Sequence, residues 1–425
     1  MRVGFFLENG DYKDIDFSRP MEGNPGIRGT QYMIWTIAYF LNKNYPDIET
    51  VLFAPVIEKM PSDLLCVESN SDLEALKMAP EYNVDIMVLR TYTENTEYYE
   101  YIEKCGIKCI MWSHNFENYR RAQAIYNTNA IKRNVCVGRQ QYERLRDHPV
   151  FSKSVCIYNT LDFENYSKYP ERGSRPIVTY VGALNSMKGF HILAHAWPKV
   201  LKKVPDAELF VIGSGSLGAN VKLGPHNLAV AAYEEKFVNY LCDNNGEILS
   251  SVHFMGNMGG EEKKKIMGMS RVGVANPTGK GETFCIVAIE FQALGVPVVS
   301  AKKNGTLDTV EDGETGLLVS DSHQLADAII TLLEDPKTAK ELGDKGFEQS
   351  RIHFSIENIC DQWYRLLLDV QNDIPQEVDY TYSYPKNQAK FLRELNRKFQ
   401  KTAIGKRSPS ILKYETAIRD IIRHK

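Results

Sequence analysis

Two glutamates eight residues apart, Glu282 and Glu290, stand in the stretch Gly281-Glu-Thr-Phe-Cys-Ile-Val-Ala-Ile-Glu-Phe-Gln-Ala-Leu-Gly-Val-Pro-Val-Val-Ser300. The stretch reads as a loop that turns into a helix at about Phe284, stops at Gly295 and continues as a buried strand from Val298. Glu282 then occupies the helix mouth and Glu290 projects from a later turn. A helix N-terminus offers N–H donors and the positive end of its dipole, so a phosphate can rest on the amides of Thr283, Phe284, Cys285 and Ile286. The carboxylates would accept hydrogen bonds from hydroxyls on either side of that phosphate. A nucleoside diphosphate sugar has this polarity: hexose, phosphates, ribose. A plainer reading stands beside it, in which one glutamate partners the helix dipole and the other is a solvated helix residue.

Such a loop must be held by strands on either side, and the chain supplies them. Short β-rich apolar runs alternate with helix-length amphipathic segments, the pattern of parallel βα units. A first series comprises Val3–Leu7, Thr50–Ala54, Ile86–Leu89, Cys109–Trp112, Val135–Val137 and Val155–Tyr158. A second comprises Ile177–Val181, Leu209–Ile212, Val252–Met255, Val272–Ala275, Val298–Ser300 and Gly316–Val319. The expected class is α/β with two Rossmann-like parallel sheets. Between the series, Tyr169-Pro-Glu-Arg-Gly-Ser-Arg-Pro176 has the composition of a linker. No repeat or low-complexity segment interrupts the order.

At 425 residues and 43% hydrophobic content the chain has ample core for two or three domains. Its 51 Lys and Arg against 54 Asp and Glu leave a net charge of −3, which provides no overall basic field for nucleic acid. The charge is unevenly placed. Lys386 to Lys425 carries +9, leaving −12 on the rest. Within that tail Phe391, Leu392, Leu395 and Phe399 recur at helical spacing among Lys390, Arg393, Arg397 and Lys398, and Ile411 to Arg423 repeats the theme. These predict basic amphipathic helices, suited to peripheral membrane contact or to packing on the body or on a second copy in a homo-oligomer. The eight cysteines are scattered without a C-x-x-C pair and read as reduced buried thiols; the nine histidines form no metal cluster. Neither a signal-peptide pattern nor an apolar stretch of membrane-spanning length is visible, so a soluble cytoplasmic protein is expected.

Taken with its flanks, the two-glutamate block resembles retaining GT-B glycosyltransferases of the family 4 type. It lies between Val272-Gly-Val-Ala-Asn-Pro277 and Gly295-Val-Pro-Val-Val-Ser300, and Val310-Glu-Asp-Gly-Glu-Thr-Gly-Leu-Leu-Val319 follows. Tyr180-Val-Gly-Ala-Leu-Asn-Ser-Met-Lys-Gly189 is similar to the family's opening of the donor domain, Leu209-Phe-Val-Ile-Gly-Ser-Gly215 to its second strand and glycine turn, and Val252-His-Phe-Met-Gly-Asn-Met258 to the turn whose backbone holds the nucleobase. In the first half, Asn24-Pro-Gly-Ile-Arg-Gly-Thr30 resembles the glycine loop, Trp112-Ser-His114-Asn the strand-end histidine, and Tyr158-Asn-Thr-Leu-Asp162 the motif before the linker. Coverage is roughly residues 1 to 370.

The resemblance implies an acceptor domain over 1–168, completed by a helix at 356–372, a nucleotide-sugar domain over 169–355, and the basic tail over 373–425. It implies that Glu282 contacts the transferred sugar, Glu290 the ribose, Lys188 the diphosphate and His114 the sugar at the reacting face. The donor contacts would also involve Gly182, Asn185, Gly256, Asn257 and Met258, with Gly29 admitting close backbone approach. The co-substrate would be a nucleoside diphosphate sugar, a UDP-sugar ahead of a GDP-sugar, with no metal and no other cofactor. The acceptor would be a glycan or a lipid-linked oligosaccharide in cell-surface polysaccharide synthesis. Lys188 could instead cap a loop, and His114 could be a hydrogen-bonded structural residue.

Four positions depart from the family pattern. Ala183 stands where an arginine is usual, Arg28 replaces the first glycine of the Gly-Gly loop, Cys285 follows Glu-x-Phe in place of glycine, and Thr160 follows Asn159. Arg28 is expected to supply the cation lost at Ala183; pointing to solvent or meeting an acidic acceptor is its other reading. Three rivals are kept: a non-catalytic sugar-nucleotide-binding protein, a nucleotide-sugar epimerase of the same shape, and a metal-dependent GT-A enzyme using Asp14-Ile-Asp16.

Overall fold

A computed structural model describes residues 1–91, 93–168, 175–215, 222–378, 380 and 389–423. Two compact units are present. The first comprises Met1–Pro20, Arg28–Asn159 and Glu357–Lys425, and the second Met21–Ile27 with Thr160–Ile356. Most of the expected linker, 169–174, lies outside the described residues, as do 379, 381–388 and 424–425 of the tail.

The first unit is built on β1 (Arg2–Phe6), β2 (Glu49–Ala54), β3 (Leu65–Glu68), β4 (Ile86–Arg90), β5 (Lys108–Ser113), β6 (Ile131–Cys136) and β7 (Ser154–Cys156). The second contains β8 (Ile177–Val181), β9 (Glu208–Ile212), β10 (Val252–Gly256), β11 (Val272–Ala275), β12 (Val298–Ala301) and β13 (Gly316–Val319). Sheet orders are β3-β2-β1-β4-β5-β6-β7 and β10-β9-β8-β11-β12-β13. Every pairing between these strands is parallel, and the expected α/β class with two Rossmann-like sheets is found. Strands β8, β11 and β12 are buried at every residue, and β1, β2, β4, β5, β6 and β13 at all but one, because helices cover both faces of a parallel sheet. That is why they appear in the sequence as unbroken apolar runs.

Both sheets reverse their order beside the first strand, at β1/β4 and at β8/β11. In open α/β sheets such a switch point leaves a crevice at the carboxyl ends of the strands, where ligands bind. Residues 21–27 join the second unit through backbone contacts: the Gly260 amide donates to the Asn24 carbonyl at 3.1 Å, and Lys264 Nζ donates to the Glu22 carbonyl at 2.7 Å.

Two local expectations are corrected. The helix after Glu282 spans Ile286–Ala293 and starts two residues later than Phe284, because Cys285 takes a non-helical cap conformation (φ −85°, ψ 84°). The run Leu65–Glu68 is a strand that the apolar pattern does not reveal: it lies at the sheet edge, and of its residues only Val67 is buried.

Candidate functional site

In the second unit the chain leaves the neighbouring strands β8 and β11 into two loops that are stitched together. After β8, Asn185 Oδ1 accepts the amides of Met187 and Lys188, each at 3.0 Å, which folds the loop into a tight turn. Gly189 then enters the helix Phe190–Lys203 with φ 76°, and a Cβ there would stand 2.4 Å from Thr278 Cγ2. Only glycine meets both demands. After β11, Asn276 adopts a left-handed conformation, and the Thr278 hydroxyl donates to the Met187 carbonyl at 2.6 Å.

This stitching brings Lys188 to Glu282. Lys188 Nζ donates to Glu282 Oε2 at 2.8 Å, and Asn276 Nδ2 donates to the same oxygen at 2.7 Å. The carboxylate is buried while the lysine stem remains 42% exposed. The Glu282 charge raises the Lys188 pKa against the opposing effect of burial, so the ammonium stays protonated. No described residue donates to Glu282 Oε1. One oxygen is therefore fixed and the other can accept from a hydroxyl. The segment after Glu282 is clamped from behind: the Gly305 amide donates to the Glu282 carbonyl at 2.8 Å, and a Cβ at Gly305 would lie 2.3 Å from the Thr283 carbonyl carbon. Thr283 and Phe284 are buried there, Phe284 edge-on to Phe354, with Ile286 opening the helix.

Glu290 is 1% exposed and is not the solvated helix residue of the plainer reading. Its Oε1 and Oε2 accept from Lys263 Nζ at 2.7 and 2.8 Å, and Tyr166 Oη donates to Oε1 at 2.8 Å. Cys285 lies between the two glutamates: burial raises its pKa strongly, and Glu282, Lys188 and Glu290 all act on it. Its substitution for glycine would be mild in a helical backbone, but the backbone at this cap is not helical.

Gly182, Gly213 and Gly256 bring the ends of β8, β9 and β10 together. The Gly182 amide donates to the Ile212 carbonyl at 2.9 Å and the Gly213 amide to the Gly256 carbonyl at 2.8 Å. Asn257 and Met258 follow as a turn, with Asn257 exposed. The second unit thus gathers Gly182, Asn185, Lys188, Gly256, Asn257, Met258, Glu282, Thr283, Phe284, Cys285, Ile286 and Glu290 along the carboxyl edge of one sheet.

His114, Arg28 and Gly29 belong to the first unit. His114 follows β5, its ring 4.6 Å from that of Trp112, which packs on Trp363. Burial, with Arg90 contributing, pushes its pKa down to about 3, so the imidazole is neutral near pH 7. Gln141 Nε2 braces the loop by donating to the carbonyls of Ser113 and Asn115 at 2.8 and 2.7 Å. Beside it, burial raises the Glu117 carboxyl to about 7, with Arg121 Nε 3.7 Å away. Arg28 is exposed at the cap of the helix Gly29–Asn44, and its amide donates to Tyr12 Oη at 3.3 Å. Gly29 opens that helix without a left-handed φ.

Asn276, Lys263, Tyr166 and Gln141 are missing from the residues singled out by sequence. Asn276 carried a signal, since it ends an apolar strand inside the conspicuous block; the other three carried none. No group of three or more His, Cys, Asp or Glu able to hold a metal occurs among the described residues. Asp16 of the Asp-x-Asp accepts the Ser18 amide at 2.8 Å in a loop turn.

Residues 162–349 match the family model described as glycosyl transferases group 1. The D-inositol 3-phosphate glycosyltransferase of Corynebacterium efficiens is 33% identical over 180 residues, covering 41% of this chain and 38% of that protein. The chain thus spans about two fifths of the length of the curated relatives it matches. Among solved structures, a glycosyltransferase from Rickettsia africae superposes with a TM-score of 0.66 at 17% identity, over 87% of this chain and 98% of that one. Anabaena Alr3699/HepE in complex with UDP-glucose superposes with a TM-score of 0.60 at 16% identity, over 87% of this chain and all of that one. The fold is that of GT-B glycosyltransferases, which retires the GT-A rival.

Proposed function

We propose that the protein is a retaining, metal-independent glycosyltransferase, a reading supported by the match of residues 162–349 to the glycosyl transferases group 1 model and by the GT-B fold. It moves a hexose from a nucleoside diphosphate sugar, UDP-linked ahead of GDP-linked, to a glycan or lipid-linked oligosaccharide in cytoplasmic cell-surface polysaccharide synthesis. The observation that carries this reading is the Lys188–Glu282–Asn276 cluster at the β8/β11 switch point, with Glu282 Oε1 left to accept from a sugar hydroxyl.

In this reading the bond between the anomeric carbon and the diphosphate oxygen breaks, and its electron pair goes to the phosphate. The acceptor oxygen attacks from the same face, and its proton passes to the departing phosphate oxygen. Lys188 and the amides from Thr283 to Ile286 offset the growing negative charge. Glu282 holds the sugar and Glu290 the ribose. Gly182, Asn185, Gly256, Asn257 and Met258 contribute donor contacts, and Gly29 allows close backbone approach. Neutral His114 can donate to a sugar hydroxyl or accept from one. Arg28 supplies the second cation that Ala183 removes.

Thermal shift with UDP, GDP, ADP and their sugars tests the donor: saturation at about 100 times Kd adds roughly 2.7 kcal/mol to the unit that binds. Turnover is then followed in EDTA with glycan, lipid-linked and inositol phosphate acceptors, the last suggested by the Corynebacterium relative. No shift with any nucleotide refutes the proposal, and loss of turnover in EDTA restored by Mn²⁺ refutes metal independence. Ala183 and Cys285 favour a second reading, a sugar-nucleotide-binding protein without catalysis. Binding without conversion under every acceptor would select it, and conversion to an isomeric nucleotide sugar would select an epimerase.

A further inference from the structure

The first tail helix packs with its polar side inward. In Lys390–Gln400, Arg393 is 1% exposed; its Nη1 donates to the Arg144 carbonyl at 2.8 Å and to Asp147 Oδ1 at 3.2 Å, and its Nη2 donates to Glu415. Asn396 Nδ2 and the Ile411 amide donate to Asp147 Oδ2 at 2.8 and 2.6 Å, and Gln400 Nε2 donates to the Asp147 carbonyl at 3.1 Å. Asp147 is fully buried, so this network fixes the rotation of the helix. The apolar stripe Phe391, Leu392, Leu395 and Phe399 consequently faces solvent, Phe391 at 75% exposure. The following loop adds Ile404 at 89%. The helix Ile411–Arg423 buries Leu412 and Thr416 and exposes Tyr414, Ile418, Ile421 and Ile422. An amphipathic helix that served only to cover the body would bury its stripe. This one presents it.

The charge around the stripe indicates what covers it. Exposed cations Lys398, Lys401, Lys406, Arg407 and Lys413 flank the apolar side chains. Of the tail's three acids, Glu415 is taken up by Arg144 and Arg393 and Asp420 by Arg120, leaving Glu394. Two copies meeting through this surface would be related by a twofold axis, which sets like against like and brings the two cation sets together. An anionic bilayer instead accepts the apolar stripe in its interfacial layer and the cations at its headgroups.

We infer that the outward face of 390–422 is a docking surface for an anionic lipid bilayer. The inference is independent of the donor chemistry proposed above. The test uses the full-length protein, sedimented with vesicles of phosphatidylcholine alone or with added phosphatidylglycerol. The wild type is expected to cosediment with the anionic vesicles, less so as salt rises. Phe391→Ser with Leu395→Ser should lower the partition coefficient at least about tenfold, because two large side chains no longer leave water. Lys398→Glu with Lys401→Glu should abolish the preference for phosphatidylglycerol. Both pairs lie on the exposed side, and an unchanged Tm verifies their folding. Absence of cosedimentation, or equal binding by wild type and the Phe391/Leu395 variant, overturns the inference. A wild-type dimer in light scattering that the same apolar substitutions convert to monomer also overturns it and assigns the face to a second copy.

Discussion

Removing the Glu290 carboxylate should damage the second unit before it damages chemistry. Glu290 is 1% and Lys263 8% exposed, and the pair is joined by hydrogen bonds of 2.7 and 2.8 Å with Tyr166 as a third donor. Glu290→Ala leaves a buried ammonium without its counter-charge, which costs about 3–5 kcal/mol. Total domain stability is about 5–15 kcal/mol, so the loss is a large fraction of it. For a unit of this size, each kcal/mol moves Tm by about 2–4 °C, giving a fall of roughly 6–20 °C. The desolvation of both charges opposes their mutual attraction, so removing the pair together behaves differently. Lys263→Met with Glu290→Leu should lie within about 2 kcal/mol of the wild type or above it. Calorimetry and urea titration followed by circular dichroism on the two single variants and the double variant give the coupling energy. Glu290→Ala within about 1 kcal/mol of the wild type, or a double variant as unstable as that single one, would refute the reasoning. An assay of Glu290→Ala alone therefore confounds nucleotide binding with folding, and Glu290→Gln, which keeps an acceptor for Tyr166, is the better functional probe.

Glu282→Gln should retain the fold, since Lys188 is half-exposed and can turn to water, while transfer falls roughly 10- to 100-fold through a lost hydroxyl contact of about 1.5–3 kcal/mol; unchanged turnover would remove Glu282 from the site. Arg28→Ala should slow transfer strongly, with partial rescue by adding Ala183→Arg; unchanged donor kinetics would leave Arg28 a surface residue. Glu117 titrates near 7 in the fold against its ordinary 4.5, so the folded state keeps a proton that the unfolded state releases, and stability falls as pH rises through that window. Glu117→Gln should therefore gain on the wild type by roughly 3 kcal/mol between pH 4.5 and 7.5 in urea titrations, and a pH-independent difference would contradict the burial argument. His114 acts in the opposite sense, its contribution being present above about 6.5 and lost as pH falls toward about 3.

The strands were legible because parallel strands buried on both faces need continuous β-branched and aromatic runs, as Ile177–Val181 shows. Leu65–Glu68 was not, since an edge strand needs little apolar content. In the site, Glu282 and Lys188 stood out by type and by the glycine-marked turns beside them. Lys263 and Tyr166 did not, because their meeting with Glu290 depends on packing across 27 and 124 residues, which no local pattern encodes. The tail shows the same limit. Spacing identifies an apolar stripe on Lys390–Gln400, but only Asp147, 246 residues from Arg393, determines which way the stripe faces.

The seven residues Met21–Ile27 lie far from the rest of the second unit in the chain and yet complete it. Fragment design must take account of this. A polypeptide cut to 160–356 would carry the whole matched family segment but would lose the carbonyls of Met21, Glu22 and Asn24, on which Asn165, Lys264 and Gly260 rely. Lys264, buried in the full chain, would keep its hydrogen bond to Asn165 but lose the one to the Glu22 carbonyl. Fusing 21–27 ahead of 160 through a linker would restore those carbonyls to the fragment for calorimetry and ligand titration.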